Sequence, residues 1–168
     1  RMFEMRCHQK DLDWNLVTDF DDPEVRGDEG KLRQVLINIL GNAVKFTDEG
    51  SVTLRVKSVP GSKEERNVPS EGKSDSTPGT PLASLEPGTP SPLPGTPFEF
   101  SVIDTGPGIP DDKQSEIFEP FAQDEAGHRA GGTGLGLAIS KRHIDMMEGD
   151  LSLRSKVGEG SVFTVTIP

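Results

Sequence analysis

The sequence predicts one α/β domain of about five strands and three helices, and three observations lead to this prediction. A helical apolar stripe occupies residues 32–43, short stretches of alternating apolar residues lie on either side of it, and glycine-rich turns join the later elements. The length of 168 residues suits one domain with a proper core and is short for two. We therefore expect a single domain over residues 1–168.

The composition excludes several classes of partner. The chain has 18 basic and 28 acidic residues and no basic run, which argues against nucleic acid or an anionic membrane surface as a partner. The single cysteine, Cys7, permits no internal disulfide and no cysteine-built metal site. No apolar run approaches the roughly 20 residues that span a bilayer. We expect a soluble fragment that is monomeric and makes no direct membrane contact.

The first predicted elements are a strand, a long helix and a second strand. Residues 11–20 alternate loosely and end in the turn of residues 21–23, so they favour a strand. Asp28 stands just before the apolar stripe, where its carboxylate can accept from the free amides of the first helical turn, and Gly50 closes the segment. Residues 51–59 alternate again and predict a half-buried strand.

A second, polar stripe runs along the same helix. Asn38, Asn42 and Lys45 are spaced four and three residues apart, so they share a face about 120° from the apolar centre. An amide oxygen is a hard ligand for magnesium, and lysine is a point charge for phosphoryl oxygens. A single asparagine in a helix is ordinarily just exposed, but the three residues together favour a site for a metal ion and a phosphate.

Residues 58–97 differ in composition from the rest of the chain. They hold nine of the fourteen prolines, with five glycines and eleven serines and threonines. The tetrapeptide Pro-Gly-Thr-Pro occurs three times, at 78–81, 87–90 and 94–97. Such a stretch buries too little apolar surface to offset the entropy of ordering it, and we predict a disordered insertion. Proline-directed phosphorylation is conceivable here, and an unmodified solvated loop is the simpler interpretation.

The remaining elements carry two further candidate loops. Residues 98–103 predict a strand that runs into Asp104-Thr105-Gly106-Pro107-Gly108-Ile109-Pro110, a tight loop at a strand end, where α/β sheets often bind ligands. Asp104 is ordinarily a turn former, but a buried carboxylate there could accept from an exocyclic amine. Residues 111–118 predict a short helix capped by Asp111 or Asp112.

Residues 131–137 form a glycine-rich run that leads into a helix beginning near Leu135, and its N-terminus would suit a polyanion. Taken alone, the run could equally be a plain hinge. We predict that this helix buries its apolar positions, Leu137, Ile139, Ile144 and Met147. Residues 150–155 and 161–167 predict two final strands. The three histidines share no metal-binding spacing, so we take them as structural or exposed.

In their order along the chain, these motifs resemble the four boxes of the ATP-binding catalytic domain of sensor histidine kinases, within the superfamily that also holds gyrase, the heat-shock-90 chaperones and the mismatch-repair clamps. The matches are Asn38-x-x-x-Asn42-Ala43-x-Lys45-Phe46-Thr47, Asp104-x-Gly106-x-Gly108-Ile109, Ile117-Phe118-Glu119-Pro120-Phe121 and Gly132-Thr133-Gly134-Leu135-Gly136-Leu137. The resemblance covers the chain except the 58–97 insertion. It implies a two-layer sandwich, a mixed, mostly antiparallel five-stranded sheet with about three helices on one face.

The resemblance also implies ATP and Mg²⁺ as ligands and a role for each matched residue. Asn38, Asn42 and Lys45 would be the catalytic set, with Asn42 on magnesium and Lys45 on the phosphates. Asp104 would receive the adenine amine, with Gly108 letting the base approach, and Arg129 would join the glycine run in a mobile lid. The implied nucleotide-binding residues are Phe46, Asp104, Gly106, Gly108, Ile109, Phe118, Phe121, Arg129, Gly132, Thr133, Gly134, Leu135, Gly136 and Leu137.

The resemblance leaves three functions open. A histidine kinase would pass the γ-phosphoryl group to a histidine on a separate dimerisation domain and then to a response-regulator receiver, in the cytoplasm or as the cytosolic part of a membrane-anchored receptor. A clamp-type ATPase would need a carboxylate where Asn38 stands, and an amide cannot take the proton. An ATP-sensing scaffold without phosphotransfer is the third. The sequence favours the kinase, with its phosphoacceptor helix before residue 1.

Overall fold

One five-stranded sheet forms the frame of the domain in the computed structural model, which describes residues 2–19, 27–59, 97–122 and 133–168. The strands of the described chain are β1 (Asp13–Thr18), β2 (Ser51–Ser58), β3 (Phe98–Asp104), β4 (Asp150–Lys156) and β5 (Gly160–Ile167). Its helices are α1 (Met2–Gln9), α2 (Glu29–Phe46) and α3 (Gly136–Met146). No described helix is both long enough and apolar enough to cross a membrane.

The strand order in the sheet is β1-β2-β3-β5-β4. β1 lies parallel to β2, and the other three pairs are antiparallel. The predicted mixed, mostly antiparallel five-stranded sheet is therefore confirmed, with strand ends within about two residues of those predicted. The register places Val52, Asp104 and Ser161 in one row across the three central strands.

The core lies between the helices and one face of the sheet. Val35 and Ile39 of α2 and Ile144 of α3 are fully buried in one cluster with apolar strand residues of the facing sheet. The strand members of this cluster are Val52, Val102, Phe163, Val165 and Ile167. Because alternate strand residues face opposite sides, this cluster accounts for one side of the sheet, and the predicted two-layer sandwich is confirmed.

α2 begins after Asp28, as the sequence predicts, and ends at Phe46, four residues before the Gly50 predicted to close the segment. The Asp28 carboxylate accepts a hydrogen bond from the Lys31 backbone N–H at 3.0 Å, which satisfies one free donor of the first turn. At the other end, the Thr47 N–H donates to the Ala43 carbonyl at 3.0 Å while Thr47 itself is extended. The helix therefore ends at the residue that follows the Asn42 and Lys45 stripe.

Two local predictions are wrong. Residues 111–118 form turns and one 3₁₀ turn (Glu116–Phe118) in place of a short helix. The Gln114 side chain donates to the backbone oxygens of Ile109 and Ser155, both at 3.0 Å, which ties this segment to the β4–β5 hairpin. Ile139 is 42% exposed, because it lies about 140° around the helix axis from the buried Ile144.

The structure also contains α1, which the sequence pattern does not predict. It buries only Phe3 and Cys7, a pair four residues apart, while two of its methionines are exposed. Two buried residues are too few to produce a recognisable helical pattern in the sequence. The turn at 21–23 lies outside the described residues, as do Arg129, the glycines at 131 and 132, and residues 60–96 of the predicted insertion.

Candidate functional site

A cavity of about 840 Å³ opens between the C-terminal half of α2, the loop after β3 and the start of α3. Most of the residues implicated by the sequence line it. They are Asn42, Lys45, Phe46, Asp104, Gly108, Ile109, Phe121, Thr133, Gly134, Gly136 and Leu137. A volume of this size is in the range of small-molecule and cofactor sites.

Asp104 places a buried carboxylate in the wall of the cavity. It ends β3, is only 8% exposed, and accepts the Gly106 backbone N–H at Oδ1, 2.9 Å away. Burial raises the pKa of this carboxyl, while hydrogen bonds from the backbone of Gly106 and Ser161 partly oppose the rise. An acceptor held in this way suits a neutral donor such as an exocyclic amine.

Asn42 and Lys45 line the cavity from the side of α2. The Lys45 ammonium lies 4.9 Å from the centre of the Phe46 ring, in cation–π contact. Within the described chain the Asn42 carboxamide makes no side-chain hydrogen bond, which leaves its oxygen available to a ligand. The described residues also contain no group of three His, Cys, Asp or Glu side chains that could hold a metal ion. Asn42 is therefore one of the oxygen ligands that the cavity lining could offer to a divalent cation.

Asn38, one helical turn before Asn42, does not line the cavity. Its Nδ2 donates to the Gly136 carbonyl at 3.1 Å and to the Ser140 hydroxyl at 3.2 Å, and its Oδ1 accepts from Gln34. Asn38 therefore joins α2 to the first turn of α3. Phe118, Gly106 and Leu135 likewise lie outside the lining, and Arg129 and Gly132 lie outside the described residues.

The loop after β3 is held rigidly against the β4–β5 hairpin. Gly108 has a φ of +72°, and a Cβ there would lie 2.1 Å from the Lys156 carbonyl oxygen, so only glycine fits. The Gly158 N–H donates to the Pro107 carbonyl at 2.8 Å, and the Ile109 N–H donates to the Ser155 hydroxyl at 2.8 Å. The glycine predicted to admit a base thus also permits the close approach of this hairpin.

On the opposite wall of the cavity, the motif at residues 117–121 contacts the glycine-rich run at residues 132–137. The Phe121 N–H donates to the Gly134 carbonyl at 2.9 Å, and Gly134 has a φ of +68°. The Phe121 side chain is 74% exposed at the cavity mouth. Phe118 instead packs against the core and lies 5.6 Å below the Lys141 ammonium.

Several lining residues were not identified from the sequence. Lys113 and Glu116 form an ion pair of 2.7 Å at the rim, and Ser161 and Phe163 line the cavity from β5. The alternating pattern of β5 could have identified Ser161 and Phe163, because it places both residues on the core face of the sheet, the face that also carries Asp104. No sequence pattern marks the rim pair, which depends on the turns at 111–118.

The chain is similar to known proteins over most of its length. Residues 27–168 match the family described as histidine kinase-, DNA gyrase B-, and HSP90-like ATPase. The sensor histidine kinase AruS of Pseudomonas aeruginosa is 41% identical over 148 residues, covering 84% of this chain and 12% of AruS. The aerobic respiration control sensor protein ArcB of Escherichia coli is 34% identical over 167 residues, covering 97% of this chain and 17% of ArcB. The chain spans less than a fifth of the length of these relatives.

Solved structures give the same assignment of fold. Full-length ShkA in complex with AMPPNP superposes with a TM-score of 0.69 at 31% identity, covering 99% of this chain and 27% of ShkA. The nucleotide-free catalytic domain of the histidine kinase ThkA superposes with a TM-score of 0.65 at 26% identity, covering 99% of this chain and 86% of that domain. Both likenesses extend over nearly all of this chain.

Proposed function

Because the chain belongs to the family of histidine kinase-, DNA gyrase B- and HSP90-like ATPases, we propose that it binds Mg-ATP and donates the γ-phosphoryl group to a histidine on a separate phosphoacceptor domain. The observation that carries the proposal is the cavity, whose lining combines Asp104 with Asn42 and Lys45. These residues offer an acceptor for the base, an oxygen for the cation and a positive charge for the phosphates. The full-length relative ShkA was solved with AMPPNP.

The cavity lining offers a partner for each end of the nucleotide. The adenine amine would donate to Asp104, with Phe46 and Ile109 against the apolar base. Lys45 would contact the phosphates, and the Asn42 oxygen would ligate Mg²⁺, which commonly keeps waters and substrate phosphates as its other ligands. Bound Mg²⁺ would neutralise charge that develops on the phosphates. Lys113 at the rim is a second positive group within the lining.

The position of Asn38 supports transfer over hydrolysis. A hydrolase needs a base that activates water, and an amide has no basic lone pair at neutral pH. Here the Asn38 amide is also engaged with Gly136 and Ser140 of α3. A neutral imidazole is already a nucleophile, so transfer to histidine requires positioning and charge stabilisation rather than a base on this chain.

The proposed partners are a histidine-bearing dimerisation domain of the same protein and a downstream response-regulator receiver. The relatives include the hybrid signal transduction histidine kinase B of Dictyostelium discoideum, which is 33% identical over 171 residues. This chain covers 7% of the length of that protein. A domain that consumes ATP in this way would work in the cytosol, alone or attached to a membrane receptor.

Phosphotransfer to a matched acceptor domain tests the proposal. The chain is mixed with γ-labelled ATP, Mg²⁺ and a histidine-bearing helical hairpin from the same protein, and acid-labile label on that hairpin is expected. Asp104→Asn serves as the binding-deficient control. Tight ATP binding without any label would favour the ATP-sensing scaffold, and steady phosphate release by this chain alone would favour the clamp-type ATPase.

A further inference from the structure

Gly41 is a glycine in the interior of α2 that the described fold does not require. It lies five residues before the end of the helix and does not have the positive φ that favours glycine. A Cβ built on it would meet no described atom within 4 Å, apart from its two neighbours and the backbone of its own helix. A glycine loses more backbone freedom on folding than alanine does, so it lowers the stability of the helix at this position. Packing within the described chain does not account for it.

The face of α2 that carries Gly41 borders the cavity. Gly41 lies one helical turn before Lys45 and three residues after Asn38, so these three residues share a face of the helix. Lys45 lines the cavity, as does Asn42, the residue next to Gly41. In the proposed site this is the end of the cavity that holds the cation and the phosphates. The buried residues of this half of α2 lie on its remaining sides and are Ile39, Leu40, Ala43 and Val44.

An acceptor histidine has to reach this end of the cavity. Phosphoryl transfer requires the attacking nitrogen about 3–3.5 Å from the phosphorus, and a histidine side chain extends only a short way from its own backbone. The helix that carries the histidine must therefore pass close to the cavity mouth, and α2 forms one side of that mouth. Packed helices lie about 8–10 Å apart between their axes, depending on the side chains at the contact. A glycine at the contact allows the closest approach.

We propose that the face of α2 formed by Asn38, Gly41 and Lys45 is the docking surface for the histidine-bearing helix of the acceptor domain, with Gly41 at the point of closest approach. The inference rests on the proposed phosphotransfer and adds the surface on which the acceptor lies. The acceptor helix is the occupant that this position favours, because the surface is continuous with the phosphate end of the cavity and no described side chain covers Gly41. Gly41 is a positioning residue and touches neither the nucleotide nor the reacting atoms.

Two substitutions at Gly41 and one at Gly30 test the proposal. Gly41→Ala adds one methyl group at the contact and Gly41→Leu adds a larger side chain, whereas Gly30→Ala adds the same methyl group in the first turn of the same helix. Label transfer from γ-labelled ATP to the histidine-bearing hairpin is measured at an acceptor concentration below saturation. We expect Gly41→Ala to slow transfer about fivefold to tenfold and Gly41→Leu more than about 50-fold, because a side chain forced into a packed contact weakens it. Gly30→Ala should transfer label at the unaltered rate.

Two further measurements separate docking from a structural role. The urea midpoint of Gly41→Ala should rise, because alanine favours a helix more than glycine does. Calorimetry with Mg²⁺ should give an ATP dissociation constant within about twofold of that of the unaltered chain, since residue 41 does not contact the nucleotide. Damage to the fold would not produce a protein that is more stable, binds ATP and transfers the label slowly.

The possible failures differ in what they overturn. Transfer at the unaltered rate by both Gly41 variants would overturn the docking surface and leave the proposed function standing. A loss of ATP affinity that matches the loss of transfer would also overturn it, because Gly41 would then belong to the nucleotide site. If the unaltered chain binds ATP but transfers no label to the hairpin, the proposed phosphotransfer fails, and this inference fails with it.

Discussion

At the scale of single residues, Asp104 is a proposed binding group whose burial opposes folding. Burial raises its pKa, so the folded chain disfavours the ionised form relative to the unfolded chain. Such a group contributes stability only at low pH, below its unfolded pKa of about 3.9, and that contribution is lost as the pH rises through the higher folded pKa. At pH 7 the ionised carboxylate therefore costs stability, which fits a group kept for ligand binding.

Asp104→Asn should separate stability from binding. At pH 7 we expect its midpoint of thermal unfolding to equal or exceed that of the unaltered chain, because the buried charge is removed. ATP affinity should fall about 10- to 100-fold, the usual range for a lost hydrogen bond to a charged group. Asp112→Asn, at an exposed position of the following turn, is the matched control and should alter neither quantity. A clear drop in the unfolding midpoint of Asp104→Asn would contradict this account.

Asn38 gives a second prediction at this scale. Asn38→Asp replaces the donor to the Gly136 carbonyl and the Ser140 hydroxyl by an oxygen, so Gly136 would face a negative charge. We expect a loss of about 1–3 kcal/mol in the free energy of unfolding, measured with urea. The new carboxylate should not produce steady ATP hydrolysis, because the side chain points toward α3. Gln34→Ala, which removes only the exposed partner of Asn38, is the control. Phosphate release by Asn38→Asp well above background would refute the assignment of residue 38 as a link between α2 and α3.

At the scale of elements, the end of α2 depends on Lys10, a residue just after α1 and more than thirty positions away in the sequence. The Lys10 ammonium donates to the carbonyl oxygens of Val44 at 3.1 Å, Lys45 at 3.3 Å and Thr47 at 2.8 Å. These are among the free carbonyls at the helix C-terminus, where a positive charge also interacts favourably with the helix dipole. Lys10 therefore holds the turn that presents Lys45 and Phe46 to the cavity.

Lys10→Met should lower the free energy of unfolding by about 1–2 kcal/mol, because several helix carbonyls lose their donor. ATP affinity should fall as well, since the turn that carries Lys45 is loosened. Chemical denaturation and titration calorimetry measure the two effects. Asp48→Asn is the control: the Asp48 side chain is 93% exposed, and its 3.4 Å contact with Lys10 should contribute little. Unchanged stability in Lys10→Met would mean that water replaces these bonds without cost.

The sequence predicts elements whose cause is local and misses those that depend on distant contacts. The limits of α2 follow from its cap at Asp28 and its apolar stripe, both within a few residues. The partner of Asn38 is about a hundred positions away on α3, so periodicity could suggest the polar face but not its target. The turns at 111–118 are likewise set by a hydrogen bond from Gln114 to Ser155. The resemblance to the kinase family identified ATP as the ligand, whereas the spacing of the polar residues indicated only a site for a metal ion and a phosphate.

At the scale of the whole molecule, the cavity lies at one end of the β2–β3 pair, and the chain leaves this pair for residues 60–96 at the other end. The β2–β3 register begins beside the cavity with the pair Val52 and Asp104 and ends with the pair Ser58 and Phe98, six residues further along. At about 3.3 Å per residue the two ends are about 20 Å apart. The Val59 N–H donates to the Pro97 carbonyl at 2.8 Å, so the two residues that flank positions 60–96 lie side by side.

Replacing residues 60–96 by a turn of four residues should therefore leave the ATP dissociation constant within about twofold, measured by calorimetry. Stability should rise by about 2 kcal/mol, since the composition predicts a flexible loop and each doubling of loop length costs about 0.6 kcal/mol of closure free energy. A Gly-Ser segment of equal length is the matched control and should retain the original stability. A tenfold loss of ATP affinity in both variants would show that the insertion contributes contacts to the site, in conflict with the geometry of the hairpin. Loss in the short variant alone would instead mean that the turn strains β2 and β3 as far as Asp104.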